Sequence, residues 1–579
     1  MNTFKPYIKQ YWKLFLLGLF FLSLEAAADL MQPMLMARVI NEGVIGGDFD
    51  MIVTLGVRML GVTLFGAVAA CIRNVLASHV SQNFGAALRR DMYEKIHKLS
   101  FATIDKKERA SLITRLTNDV SQVQNFLNGS MRIFVKAPLV CIGAIIMAIH
   151  LNVRLSATFL VLIPLVFLII FIVMKQTFPL FTKMQQAIDG VNARMREYLG
   201  GVRLVKAFNR YTYENERFEE TSLALADVSA TAMKWSALMG PGIALLLNLG
   251  IVFILFAGGR LVQNGDAGVG EIIAFTTYTT QIAMALGMMS WVFTMYVRAK
   301  ASAKRISEVI HAVEMGDVVA FDEKTIFKGG ITFDAVDFSF AQEKENLTLK
   351  NISFNIPPGA KLGIIGATGA GKTTLINQLL KFYEPDKGRI YIDDHDITKI
   401  GSKILRQQIA VVPQTAVLFS GTISSNLKWG NPDASVEELI QATERACIHE
   451  FIQGLPLGYE TKIEQGGKNL SGGQRQRLAI ARALVKRPKV LILDDALSAV
   501  DAKTEAHIKQ ALNEVKETMT QIMITQKIAT VASYDAIIVL DKGEIVAKGT
   551  HQQLLATSPI YQEIYASQNG KGDEFYVTT

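Results

Sequence analysis

The sequence predicts an α-helical membrane domain fused to a soluble α/β domain, and three observations carry that expectation. Half of the 579 residues are hydrophobic while 19% are charged, too apolar a balance for an ordinary soluble protein. Six stretches of the first half offer the run of about 20 mostly apolar residues that a bilayer core demands. From Ala301 onward the composition turns mixed, and strand-like alternation begins at "GGITFDAVDFSF". A chain of this length exceeds what one hydrophobic core supports. We therefore divide it into a membrane domain over 1–310, a linker over 311–327 and a soluble domain over 328–579.

The expected membrane helices cover 14–40, 51–73, 131–150, 155–174, 236–258 and 271–297. The connection 41–50 has no Lys or Arg, and the turns 150–154 and 259–270 hold single arginines. Loops 74–130 and 175–235 are basic, with Arg89, Arg90, Lys106 and Lys107 in the first and Arg194, Arg196, Lys206 and Arg210 in the second. The positive-inside rule puts these loops and both termini in the cytoplasm, so the chain is expected to be a multi-pass protein of the plasma (inner) membrane with the lipid bilayer as a partner. Both loops keep helical periodicity and few breakers. They read as extensions of the membrane helices, with tips near Ser100–Asp119 and Arg210–Phe218 placed to touch the soluble domain. A cleaved secretory signal at Lys13, Leu14–Leu24 and "EAAADL" is the weaker reading, because apolar sequence resumes at Met31–Ile40.

The formal charge of +8 comes with no aromatic-and-basic recognition module, so no nucleic-acid partner is expected. Cys71, Cys141 and Cys447 show neither ligand nor disulfide spacing. Glu25 and Asp29 are four residues apart inside the first membrane helix and share one face. They are expected either to form a structural pair with Arg58 of the next helix or to line a cavity that attracts cationic cargo.

The soluble half carries its chemistry in three places. "KLGIIGATGAGKTTLINQLL", Lys361–Leu380, is an apolar strand, a glycine-rich turn and a helix, and fills the P-loop pattern with Gly366, Gly371, Lys372 and Thr373. Such a loop, here including Thr368, Gly369, Ala370 and Thr374, turns backbone N–H groups toward phosphates at a helix N-terminus. Lys372 adds a positive charge, and Thr373 offers a hydroxyl to Mg2+. In "VLILDDALSAVD", Val490–Asp501, an unalternated strand ends in two acids, of which Asp494 suits the same ion. "NLSGGQRQRLAIARALV", from Asn469, places Gly472 and Gly473 at the start of another helix, a second anion-seeking turn.

Walker A at Gly366–Thr373, "LSGGQ" at Leu470–Gln474, Walker B at Leu491–Asp494 and "SAVD" at Ser498–Asp501 resemble the nucleotide-binding domain of an ABC transporter. Behind six helices they resemble an exporter-type half-transporter, and in particular the degenerate-site subunit of bacterial heterodimeric multidrug-type exporters. The fold this implies is a six-helix membrane domain fused to an α/β P-loop NTPase. The resemblance also implies ATP and Mg2+ as ligands, adenine stacking on Phe340, metal and phosphate sensing by Gln414, and a D-loop at Asp501. It further implies that Ser471, Gly472, Gly473 and Gln474 close over the nucleotide of a partner subunit.

Two positions depart from the family pattern. The residue after the Walker B aspartate is usually a glutamate serving as general base, and here it is Asp495; the switch histidine is replaced by Gln526. Gln465 stands where glutamate is commoner, and we have no physical account of that change. The expected function is a subunit of an ATP-driven exporter of amphipathic or hydrophobic compounds, with hydrophobic or cationic small-molecule cargo. Its own site would bind ATP but hydrolyse it poorly. Its partner would be a half-transporter with Glu and His at the matching positions, so that hydrolysis needs the heterodimer. A nucleotide-gated channel or sensor and a homodimeric lipid exporter are the alternatives.

Overall fold

The computed structural model describes residues 4–314, 326–340, 347–514 and 519–568, which fall into two compact units. The central part of the expected linker, 315–325, lies outside the described residues.

Among the described residues of the first unit, six helices are long and apolar enough to cross a membrane. They are α1 (Lys5–Val44), α2 (Phe49–Lys98), α3 (Ala110–Leu151), α4 (Val153–Ala207), α5 (Tyr211–Gln263) and α6 (Val269–Ile310). The basic loops are helical too. At 55 residues α4 is about 80 Å long, well beyond the ~30 Å of a bilayer core.

Lipid tails are as apolar as leucine, so close packing and polar contacts hold such helices together. At Gly66 of α2 an added Cβ would lie 2.9 Å from the Ala28 methyl of α1, so the backbones can approach only without it. Pro33 inside α1 lacks the N–H that would pair with the carbonyl of Asp29. Gln281 of α6 donates to that carbonyl at 3.3 Å, and buried Tyr278 donates to the neighbouring Leu30 carbonyl at 2.8 Å.

The expected Glu25–Arg58 pair does not form. Instead Arg73 Nε lies 3.1 Å from Glu25 Oε2, while Lys136 Nζ of α3 lies 2.5 Å from Glu25 Oε1 and 3.0 Å from Asp29 Oδ2. The register of the α1–α2 hairpin explains the difference. Gln32 bonds to Met59 and Thr63, Ala28 meets Gly66, and Tyr7 packs on Phe84. Glu25 precedes Ala28 by three residues, so its level on α2 falls beyond Gly66, within reach of the long Arg73 side chain and two turns or more past Arg58.

The second unit contains two main sheets. The antiparallel one has strand order β2-β1-β4-β5, from β1 (Ile331–Phe338), β2 (Leu349–Ile356), β4 (Lys387–Ile392) and β5 (His395–Asp396). The other includes β3 (Lys361–Ile365), β6 (Ile409–Val412), β9 (Val490–Asp494), β10 (Thr520–Ile524), β11 (Ala536–Asp541) and β12 (Glu544–Gly549), in the order β12-β11-β3-β10-β9-β6. All its pairings are parallel except β11–β12. A short pair, β7 (Gly421–Thr422) and β8 (Lys462–Ile463), lies apart. Strands β3 and β9 are buried at every position, as parallel strands covered on both faces must be.

Lys98–Lys107, from the loop between α2 and α3, groups with this second unit. Ser100 caps the short helix Phe101–Lys106 by accepting from the Thr103 N–H at 3.3 Å, and Leu99 forms an isolated antiparallel bridge with Glu314.

Replacing Glu25 by Gln leaves Arg73 charged and buried without its counter-ion. Glu25→Gln should therefore destabilise the protein by about 3–5 kcal/mol in thermal unfolding in lipid nanodiscs. Asp29→Asn, at a carboxylate that is 47% exposed, should cost about 1 kcal/mol or less.

Candidate nucleotide site

The site begins with strand register. Ile364 of β3 and Asp494 of β9 both stand level with Ile524 of β10, and Val412 of β6 stands level with Leu493. The parallel strands thus end side by side, at the edge where α/β sheets place ligands. Each exit supplies one part: Gly366–Thr373 after β3, Gln414 after β6, Asp494 and Asp495 at the end of β9, and Gln526 after β10.

The loop after β3 turns into α7 (Lys372–Leu379) at Gly371, whose φ is 98°. A Cβ there would come within 3.0 Å of the Thr348 carbonyl, so the turn requires glycine. Lys372 Nζ folds back over the loop and donates to the Gly366 and Ala367 carbonyls, each at 2.8 Å. Thr373 Oγ1 donates to Asp494 Oδ2 at 3.0 Å. These side chains, with Thr348, Thr368, Gly369, Thr374, Gln414, Asp495, Thr525 and Gln526, line a cavity of about 330 Å³.

Asp495 adopts φ 48°, a left-handed conformation that aspartate tolerates better than most residues. Its N–H extends the ladder to the Ile524 carbonyl at 2.9 Å, and its carbonyl accepts from the Ser498 hydroxyl at 2.8 Å. The backbone on both sides of this acid is thereby pinned. Its carboxylate receives a long hydrogen bond, 3.4 Å, from the Gln414 amide. Across the cavity the Gln526 carbonyl accepts from Gln568 Nε2 at 2.6 Å.

Burial pushes the Asp494 carboxyl above its ordinary range; neighbouring Asp495 adds to that push, while the Thr373 hydrogen bond and Lys372 oppose it. Burial lowers the Lys372 ammonium, partly offset by the two acids. Both shifts express the same cost, charge held in a poorly solvated cleft. A triphosphate would give Lys372 an anionic partner, and a divalent cation would neutralise Asp494. The Thr373 hydroxyl, the Asp494 carboxylate and the Gln414 amide oxygen are hard oxygen donors of the kind Mg2+ takes alongside phosphate oxygens.

The other expected site residues are spread over the unit. Phe340 is about half exposed and edge-on to Phe338 and Tyr383, whereas Ala370 is buried beneath the loop. Ser471 caps α8 (Gly472–Val485): its Oγ accepts from the Gln474 N–H at 3.2 Å, and Gln474 Oε1 accepts from the Ser471 N–H at 2.8 Å. This turn, with Gly472 and Gly473, does not line the cavity described above. Asp501 caps α9 (Ala502–Asn513), and hydrogen bonds from Thr504 hold its carboxyl below the usual range. Sequence reasoning passed over Thr348, just before β2, and Thr525, just after β10, which line the cavity and carry no motif.

Lys372→Ala should abolish ATP binding measured by calorimetry. Asp494→Asn should leave metal-free ATP binding near that of the unaltered chain while removing the gain in affinity that magnesium provides.

Residues 15–286 match the family model described as the ABC transporter transmembrane region, and residues 349–498 match that described as ABC transporter. The chain is similar to the uncharacterised ABC transporter ATP-binding protein YfiB of Bacillus subtilis (strain 168), at 39% identity over 99% of both chains. It is also similar to a fatty acid ABC transporter ATP-binding/permease protein of Mycobacterium bovis, at 32% identity over 82% of this chain and 75% of the relative. Among solved structures it resembles a bacterial Atm1-family ABC exporter with ATP bound, with a TM-score of 0.79 and 26% identity over 98% of this chain and 99% of that one. The strand-end cleft with its P-loop, the six apolar helices and this likeness along nearly the whole length converge: the chain belongs to the ABC transporters, as an exporter-type half-transporter whose ATPase domain binds ATP and couples its hydrolysis to transport.

Proposed function

We propose that this chain is the catalytically slow half of a heterodimeric exporter. Its own site holds MgATP, and its signature turn completes the site of a second half-transporter that carries Glu and His at the positions of Asp495 and Gln526. Asp495 is the observation that carries this reading. Its backbone is fixed on both sides, so a side chain one methylene shorter than glutamate falls about 1.5 Å short. A misplacement of ~1 Å can cost on the order of a hundredfold in rate. Gln526, on the wall of the same cavity, donates and accepts hydrogen bonds but cannot take up a proton as imidazole does. The residues that would grip phosphate and metal are all in place, so binding is retained where hydrolysis is slowed.

The cargo we propose is amphipathic or hydrophobic, moved out of the cytoplasm or the inner leaflet, with both termini cytoplasmic. The ion pairs favour this over a cationic cargo. Glu25 is buried between Arg73 and Lys136, and Asp29 shares Lys136, so the acids expected to attract cations already have counter-ions. Likeness to a relative named for fatty acids supports the same direction.

In the complex purified from its native membrane through a tag on this chain, Asp495→Asn should leave steady-state ATPase activity close to that of the unaltered complex. Asp495→Glu combined with Gln526→His should speed hydrolysis at this site by on the order of a hundredfold. Abolition of activity by Asp495→Asn would contradict the reading.

A further inference from the structure

We propose that Gln568 is a positioning residue for the nucleotide site: its side-chain amide clamps the main chain at Gln526 and so holds the Gln526 side chain toward the terminal phosphate of a bound triphosphate. This rests on the reading that the cavity holds ATP with its γ-phosphate on the Gln526 side.

The clamp is bidentate. Gln568 Nε2 donates to the Gln526 carbonyl at 2.6 Å, and Gln568 Oε1 accepts from the Ile528 N–H at 2.9 Å. One side-chain amide therefore pairs with main-chain groups on both sides of Lys527, as a neighbouring strand would. Both groups lie where regular structure gives little support, because β10 ends at Ile524 and the short helix that follows begins only at Ile528. On the other side of Gln526, the Thr525 N–H donates to the Ile364 carbonyl of β3 at 3.2 Å, and Thr525 Oγ1 accepts from the Lys527 N–H at 3.1 Å. Gln526 thus hangs between an anchor in the sheet and an anchor on Gln568.

The mount of the clamp is firm. Gln568 ends the helix Pro559–Gln568, in which Tyr561 is fully buried with its hydroxyl 2.7 Å from His551 Nδ1. Gln562 Nε2 donates to the Leu555 carbonyl at 2.6 Å, and Ile564 packs against the apolar core. A helix fixed in this way presents the amide of its last residue from a defined point.

What the clamp controls follows from exposure. Gln526 is exposed, so packing does little to direct its side chain and the main chain sets where that side chain starts. A group held ready gives up less freedom when its ligand arrives. Gln526 lines the cavity, whereas Gln568 does not and touches none of the groups that would hold base, metal or inner phosphates. The effect of the clamp therefore falls on the γ-phosphate, the part that distinguishes ATP from ADP.

Photoaffinity labelling of this chain with radiolabelled 8-azido-ATP tests this, in the native complex, in the cold with magnesium, against competing ATP or ADP. Gln568→Met keeps the length of the side chain and loses both bonds, so ATP should compete roughly two- to tenfold less well while ADP competes as before. Gln568→Glu keeps the acceptor and loses the donor to the Gln526 carbonyl, and it should lower the preference for ATP as well. Gln526→Ala alone should lower that preference, and adding Gln568→Met should lower it no further, because the clamp acts only through Gln526. Full ATP preference in either Gln568 variant, a loss shared equally by ADP, or a further loss on top of Gln526→Ala would each overturn the clamp. An ATP preference untouched by Gln526→Ala would overturn the placing of the γ-phosphate at Gln526, and the clamp with it.

Discussion

The nucleotide site depends on the shared ending of parallel strands. Strand β10 sits between β3 and β9, and its register sets Ile364, Ile524 and Asp494 abreast. Everything that could act on a triphosphate leaves the sheet within a residue or two of that line. Parallel pairing brings this about because every strand points its carboxyl end the same way, so loops remote in sequence converge without any need to touch earlier in the fold. On the proposed reading of a slow site, one methylene matters because of the same geometry. The backbone of Asp495 is tied to β10 through Ile524 and to its own turn through Ser498, so it cannot advance to offset a shorter side chain.

In the membrane unit the controlling constraint is that polar groups must find partners inside the protein. Pro33 frees a carbonyl and Gln281 takes it up; Glu25 is buried and two cations from α2 and α3 surround it. A polar bond and a charge cluster thus tie α1 to α2, α3 and α6 at one level, where packing among apolar side chains alone would leave register weakly specified. The cost is that each charge becomes indispensable to the others.

The motifs made much of this readable in advance. The P-loop and the two acids after an unalternated apolar run gave the sheet edge its chemistry, and six apolar stretches marked the spans. What could not be read was distance between elements. Arg58 was expected level with Glu25, whereas the contact of Ala28 with Gly66 sets Glu25 further along α2, within reach of Arg73. Lys136 was invisible as a partner because it lies more than a hundred residues from Glu25 and has no spacing signal. Tyr383 stands in "KFYEPDKG", an aromatic pair before a proline that reads as a turn until Phe101 and Phe340 are seen beside it. Thr348 likewise lines the cavity from a segment just before β2 that no linear pattern ties to the P-loop.

The proposed slow site has its most direct consequence in the fate of two bound nucleotides. Load the native complex with radiolabelled ATP and magnesium, remove excess nucleotide, and follow the bound material by rapid quench. If Asp495 is out of reach of the reacting phosphate, half of the bound label converts quickly to ADP and the other half persists as ATP long after. Conversion of all bound ATP in one phase at one rate would show that this carboxylate serves as a competent base and that the two sites are equivalent.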